Sequence, residues 1–234
     1  METTETQALQ TKPLDQHQSG EPAEETGFTS LGNECELCQG TGWLRVDSAC
    51  VKRCGCIIRR VSREKLMEIP ERFRDCTFES YQPKNSAQLR ALSQMKDAPE
   101  NSYFLHGPYG SGKTHLLLAQ YRTLVLAGIP CNLRTTAQLL KEIQRMEFDS
   151  DFLSPVFLGI RSGRRYHLFW DDLDKFKMSD FRSQELFDLI DTMYRRNLSI
   201  TITSNFTLKE LGELEKVHPS FIRRIDEICR VLEV

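Results

Sequence analysis

The chain has 234 residues, enough for one core domain of ordinary size plus a small module and short for two full domains. No apolar run approaches the roughly 18 residues that a membrane helix needs. The first residues, METTETQALQ, lack the basic start and apolar stretch of a secretory signal. Membrane and secreted classes are set aside, and a cytoplasmic, reducing setting is expected. The eight cysteines there read as thiols or metal ligands rather than disulfides. The net charge of −2 is uneven, with residues 1–34 at −6 and the remaining 200 at +4. A mildly basic body permits nucleic-acid contact without demanding it.

Residues 1–33, rich in Glu, Thr, Gln and Pro, read as a disordered acidic tail. Residues 34–57 form a cysteine-rich module. If Cys35, Cys38, Cys54 and Cys56 are taken as ligands, the spacing is C-x2-C-x15-C-x-C, a thiolate set suited to tetrahedral Zn²⁺. So short a segment cannot build its own core, and a metal would supply the missing stability. Cys50 is either a spare or a replacement for one of the last pair. Cys76, Cys131 and Cys229 sit in the connector or in apolar contexts and read as packing residues.

Residues 58–84 read as a helical and extended linker: the charged helix IIRRVSREKLMEI, then the connector PERFRDCTFESYQP. From 85 to 234 helices alternate with short apolar strands, the pattern of a parallel α/β sheet. The expected order is a helix over 86–97, the strand SYFLHG, a helix from Lys113 to Leu126, the strand PCNLRT and the helix AQLLKEIQRM. A variable segment over 147–165 follows, then the strand HLFW, a helix over 183–196, the strand SITITS, two short helices and the strand RVLEV.

GPYGSGKT, made of Gly107, Pro108, Tyr109, Gly110, Ser111, Gly112, Lys113 and Thr114, matches G-x-x-x-x-G-K-[ST] between a strand and a helix. Its amides and the helix terminus suit phosphate oxygens. Lys113 would reach the β- and γ-phosphates of ATP, and Thr114 would ligate Mg²⁺. The strand HLFW ends in Asp171 and Asp172, acids placed at the ligand crevice of such a sheet. Asp171 suits the Mg²⁺ shell, and Asp172 suits orientation of the attacking water. Asp174 reads as a helix cap or surface acid. Asn205, closing SITITS, is placed to hold the γ-phosphate or its water. Arg223 and Arg224 in FIRRIDEI offer a finger to a neighbour's γ-phosphate.

This motif order resembles the AAA+ ATPases, most closely the DnaC-type helicase loaders and IstB-type transposition ATPases. IPERFRDCTFESYQP, TSNF and SFIRRIDEICRVLEV look like that group's connector and closing segments. The resemblance implies an AAA+ P-loop core without a C-terminal lid. It also implies Asn205 as γ-phosphate sensor, Arg224 ahead of Arg223 as finger, self-assembly with ATP, and Phe73 or Phe78 near adenine. Asp172 stands where AAA+ proteins often have Glu. The implied function is ATP-driven loading of the replicative helicase onto single-stranded DNA, with the zinc module docking the partner. The alternatives are a transposition accessory ATPase and an ATP-binding adaptor without turnover. Lys52, Arg53, Arg59, Arg60, Arg63 and Lys65, and a second cluster at Arg161, Arg164 and Arg165, are candidate phosphate contacts.

Overall fold

The computed structural model describes residues 35–47, 50–149, 151–162, 165–175, 180–213 and 219–234. The tail over 1–33 and Arg164 lie outside these residues. A small antiparallel hairpin, β1 (Trp43–Arg45) and β2 (Val51–Arg53), opens the described chain, and α1 (Gly55–Met67) follows it directly. A single 3-10 turn, Glu71–Phe73, interrupts the connector.

The remaining elements run α2 (Ser86–Asp97), β3 (Tyr103–His106), α3 (Lys113–Leu126), β4 (Cys131–Thr135), α4 (Thr136–Phe148) and α5 (Pro155–Arg161). They continue with β5 (His167–Asp171), α6 (Asp180–Arg195), β6 (Ser199–Ser204), α7 (Leu208–Glu213), α8 (Pro219–Ile228) and β7 (Arg230–Glu233). The five long-range strands make one parallel sheet in the order β4-β5-β6-β3-β7. No lid helix follows β7 among the described residues.

Alternation along each strand divides the interior into two layers. Phe104, Leu168, Trp170, Ile200 and Ile202 face one layer, filled by α4, α5, α6 and α8. Tyr103, Leu105, Phe169 and Leu232 face the other, filled by α2, α3 and the connector residues Cys76, Phe78 and Tyr81. The buried Cys76, Cys131 and Cys229 pack in these cores, as expected.

Local chemistry sets the helix starts. Asn85 caps α2 by accepting from Gln88 N, and Thr135 with Gln138 forms a reciprocal capping box on α4. The segment read as variable, 147–165, contains α5, started by Ser154 at the cap and Pro155 in its first turn. It has only 7 residues, too short to show a helical period in sequence.

The helix α1 lies against α3. Ser62 Oγ donates to Val125 O at 2.7 Å, Tyr121 OH donates to Lys65 O at 3.2 Å, and Lys65 Nζ reaches Asn132 Oδ1 at 3.0 Å. No helix among the described residues is long and apolar enough to cross a membrane.

Candidate nucleotide site and cysteine cluster

Parallel register brings the C-terminal ends of β5, β6 and β3 side by side. His106 pairs with Ser204, and Trp170 pairs with Ile202. The loop after β3, the acids ending β5 and Asn205 after β6 therefore emerge at one edge of the sheet, where open α/β sheets bind ligands.

The loop Gly107–Thr114 depends on its glycines for two different reasons. Gly107 has φ +150°, and a Cβ there would meet Val234 O at 2.1 Å. Gly112 has φ +100°, and its Cβ would strike the Tyr81 ring at 2.7 Å. Tyr81 OH and Gln88 Nε2 both donate to Ser111 O, at 3.2 and 3.0 Å, bracing the loop from the connector and α2. Pro108 lies within this turn, and Tyr109 stands exposed at its tip.

Lys113 is buried, and its ammonium donates to Gly107 O and Pro108 O at 2.8 Å each. Burial lowers its pKa, opposed by Asp174, Asp172 and Asp171. Ser111 Oγ is buried and has no hydrogen-bond partner among the described residues. A cation withdrawn from water and an orphaned hydroxyl beside the start of a 14-residue helix suit an anionic ligand. Phosphate oxygens fit both groups.

Asp171 is held by two hydroxyls: Thr203 Oγ1 donates to Oδ1 at 2.6 Å, and Thr114 Oγ1 donates to the same oxygen at 3.2 Å. Burial pushes the Asp171 carboxyl above its ordinary range, and the threonine bonds only partly offset this. A buried carboxylate touching a hydroxyl from the glycine loop is a donor set suited to Mg²⁺.

Asp172 has φ +60°, a left-handed conformation that few residues with a Cβ adopt. Backbone bonds on both sides hold it there. Its N–H donates to Thr203 Oγ1 at 2.9 Å, and its carbonyl accepts from Thr136 Oγ1 at 2.8 Å. Trp170 Nε1 in turn donates to Thr136 Oγ1 at 2.8 Å. Thr203 thus links both acids. The Asp172 side chain forms an ion pair with Lys175 at 2.5 Å.

Asp174 differs from the expected cap or surface acid. Its two carboxylate oxygens accept from Asn205 N at 2.8 Å and from Asn205 Nδ2 at 2.7 Å. One Nδ2 hydrogen is engaged by Asp174, so Asn205 keeps its second Nδ2 hydrogen as a donor and its Oδ1 as an acceptor.

Arg224 is not joined to the glycine loop by any of its ion pairs. It bonds Asp191 on α6 at 3.1 Å and Glu227 at 2.8 Å, and its guanidinium lies 4.2 Å from the Tyr194 ring centre. Arg223 is 77% exposed and pairs with Glu227. Phe78 is buried in the core and Phe73 partly so.

Sequence reasoning did not single out Thr203, Thr136, Tyr81 or Gln88 for the site. The polar Thr203 inside a strand ending in Ser204 was the available signal for the first. The other three act through contacts that only the fold creates.

The sulfurs of Cys35, Cys38, Cys54 and Cys56 all lie within 4.8 Å of one another. Cys35 Sγ is 3.7 Å from Cys54 Sγ, and Cys38 Sγ is 3.4 Å from Cys56 Sγ. Four sulfurs about 2.3 Å from one Zn²⁺ would be about 3.8 Å apart, so the cluster fits the ion. Cys50 is exposed at the start of β2 and is not in the group.

Cys54 occupies the N-cap position of α1, so the cluster sits at the positive end of that helix. Gly42 N donates to Cys38 Sγ at 3.3 Å. Amides of Cys38 and Leu37 pull the Cys35 thiol down to about 7. The neighbouring Cys38 sulfur and burial push Cys56 up to about 12. Without a cation the cluster resists collecting four negative charges.

Of the basic residues, Lys52, Arg53, Arg59, Arg60 and Arg63 are exposed, whereas Lys65 is tied to Glu68 and Asn132. Arg161 is exposed, and Arg165 pairs with Glu100.

Together the strand order, the glycine loop and the paired acids define an AAA+ P-loop nucleotide-binding core. Residues 56–233 match the IstB-like ATP binding protein family, and the chain belongs to that family. It is 31% identical over 156 residues to the chromosomal replication initiator protein DnaA of Bordetella pertussis, a match covering 60% of this chain and 31% of DnaA. The chain thus spans about a third of the length of the curated relatives it matches.

Among solved structures, a DnaC helicase loader superposes with a TM-score of 0.58 at 23% identity, covering 70% of this chain and 99% of that one. DnaI superposes with a TM-score of 0.58 at 16% identity, covering 71% and 91%. These likenesses establish the fold, and the expected resemblance to the DnaC-type and IstB-type AAA+ group holds.

Proposed function

We propose that this protein is a Mg²⁺-dependent ATPase of DNA replication that loads the replicative helicase onto single-stranded DNA. The observation that carries the nucleotide chemistry is the hydrogen bond from Thr114 to Asp171. It joins the glycine loop after β3 to the acid ending β5, at the same edge of the sheet.

Lys113 would exchange its two loop carbonyls for the β- and γ-phosphates, and Ser111 Oγ would gain a partner. Thr114 and Asp171 would hold Mg²⁺, which when bound neutralises phosphate charge. Asp172 would orient the attacking water after leaving Lys175, and Asn205, aimed by Asp174, would accept from that water through Oδ1 or donate its second Nδ2 hydrogen to the γ-phosphate. Arg224 would act on a neighbouring copy's nucleotide. This reading makes ATP both an assembly ligand and, once hydrolysed, a release switch.

The loader reading rests on the fold shared with DnaC and DnaI and on the cysteine cluster leading into α1. The cluster would bind Zn²⁺ and dock the helicase in the cytoplasm. The match to IstB-like proteins supports a second reading, a transposition accessory that assembles on duplex DNA.

Mass photometry of the full chain with the replicative helicase from the same source, with and without ATP, tests the proposal. A discrete complex weakened by Cys38→Ser supports the loader. No complex in either condition refutes it and directs the search to a transposase. Separately, Lys113→Ala is expected to weaken ATP binding at least tenfold by titration calorimetry, as loss of a charge-assisted bond of ~1.5–3 kcal/mol implies.

A further inference from the structure

On the side of the molecule formed by α1, α3 and the connector lies an open groove of about 580 Å³. Its apolar surface is Ile58, Leu66 and Met67 from α1 and Leu126 from the end of α3. Met67 is 61% exposed, Leu126 58% and Ile58 40%, so three large apolar side chains converge here without cover. Isolated exposed apolar residues are ordinary, but a contiguous set with a charged rim marks an interaction surface.

The rim is basic. Arg59 and Arg63 project from α1, Arg74 from the connector and Arg122 from α3, against the lining acid Asp75, and Arg74 also pairs with Glu71 at 3.7 Å. Arg122 is fixed by donating to Arg74 O at 2.6 Å. Arg59 and Arg63 form no ion pair among the described residues. Ser62 Oγ, bonded to Val125 O, ties the two helices together beneath the groove, so its floor is preformed.

We infer that this groove docks an acidic amphipathic helix of a partner protein, with apolar residues at i, i+3 or i+4 and i+7 on the floor and Glu or Asp facing the arginines. Three features select this occupant. The groove runs beside two helices and offers no unpaired strand edge, which excludes strand addition. A floor of Met, Leu and Ile adapts to apolar side chains of varied shape. No aromatic ring lines it among the described residues, so single-stranded DNA would find phosphate contacts but no stacking platform. The inference does not depend on ATP hydrolysis or on the identity of the partner.

The test is a displayed library of 18-residue helix-forming peptides, selected on the full-length protein and then measured as free peptides by fluorescence anisotropy (library length set by roughly five turns). Enriched peptides are expected to combine an apolar stripe with net negative charge. They should lose at least tenfold in affinity on Met67→Glu or Leu126→Glu, and weaken with rising salt less steeply on Arg63→Glu. Both apolar sites are exposed, and an unchanged melting temperature verifies the fold of each variant.

Enrichment of neutral or basic peptides, no enrichment, or binding untouched by the glutamates overturns the inference. So does loss of (dT)30 binding in these variants without loss of peptide binding, which makes the groove a nucleic-acid surface. A nucleotide-independent self-association abolished by Met67→Glu also overturns it, in favour of a second copy.

Discussion

At the scale of single residues, the candidate site is organised around Thr203. Its hydroxyl donates to Asp171 and accepts from Asp172 N, so one side chain sets both acids. Thr203→Val removes both bonds while nearly preserving shape. The expected result is a loss of ~1–3 kcal/mol of stability by chemical denaturation, the cost of unsatisfied buried polar groups, together with weaker Mg²⁺ dependence of ATP turnover. An unchanged denaturation midpoint would contradict this role.

Asp171 makes the opposite prediction. Burial raises its folded pKa, so its favourable contribution is complete below the ordinary carboxylate range and is lost as pH rises through the folded value. Asp171→Asn should therefore melt no lower than the natural protein at pH 8 without Mg²⁺, yet lose ATP turnover by at least a hundredfold. In the proposed role, function at Asp171 opposes stability, as is common for a buried charge that would hold a cation.

At the scale of elements, β5 shows how a polar residue can be accommodated inside a parallel sheet. His167 is buried, and its Nε2 lies 2.9 Å from Thr201 Oγ1. The single Thr201 hydroxyl proton goes to Gln120 Oε1 at 2.8 Å, because Gln120 Nε2 is committed to Pro99 O and Asn101 O. His167 Nε2 must therefore be the donor, and the ring is neutral.

Burial lowers the His167 pKa from 6.5 to about 3. Stability from this group is present above pH 6.5 and is lost as pH falls through that value toward 3. By pH 5 the loss is about 2 kcal/mol. Thermal melts should show this decline, and His167→Gln should flatten it between pH 7 and 5. A parallel decline in both proteins would assign the acid sensitivity elsewhere.

The elements also show what a sequence can disclose. GPYGSGKT and HLFWDD are contiguous, and the apolar run before each motif marks a buried strand, so the loop and the acids were legible. The helix α3 begins and ends at the expected Lys113 and Leu126. Asp174 was misread because its partner, Asn205, is 31 residues away and meets it only through strand adjacency. Tyr81 braces Ser111 across 30 residues for the same reason. The short α5 had too few turns to show a period. Spacing left Cys50 open as a ligand, and the fold leaves it exposed just before β2 and outside the four-sulfur group.

At the scale of the whole molecule, the cysteine cluster, α1 and the sheet form a connected series. Cys54 stands at the N-cap position of α1 and Cys56 in its first turn, and α1 is fastened to α3, which itself begins at Lys113. The proposed Zn²⁺ should be present at one equivalent per chain by mass spectrometry of the metal. Its chelation should expose four additional reactive thiols and abolish helicase binding while leaving ATP affinity within about twofold, as expected for separable sites. Metal content near zero in protein purified without chelator would remove zinc from the account.

The central claim is that ATP bound at the Gly107–Thr114 loop drives transfer of a helicase onto DNA. The most direct measurement is helicase retained on circular single-stranded DNA, which offers no end for threading, with the full chain and ATP supplied together. Retention that requires both, and that disappears with Lys113→Ala, is the predicted result. Equal retention without the protein, or with the Lys113→Ala variant, would contradict it.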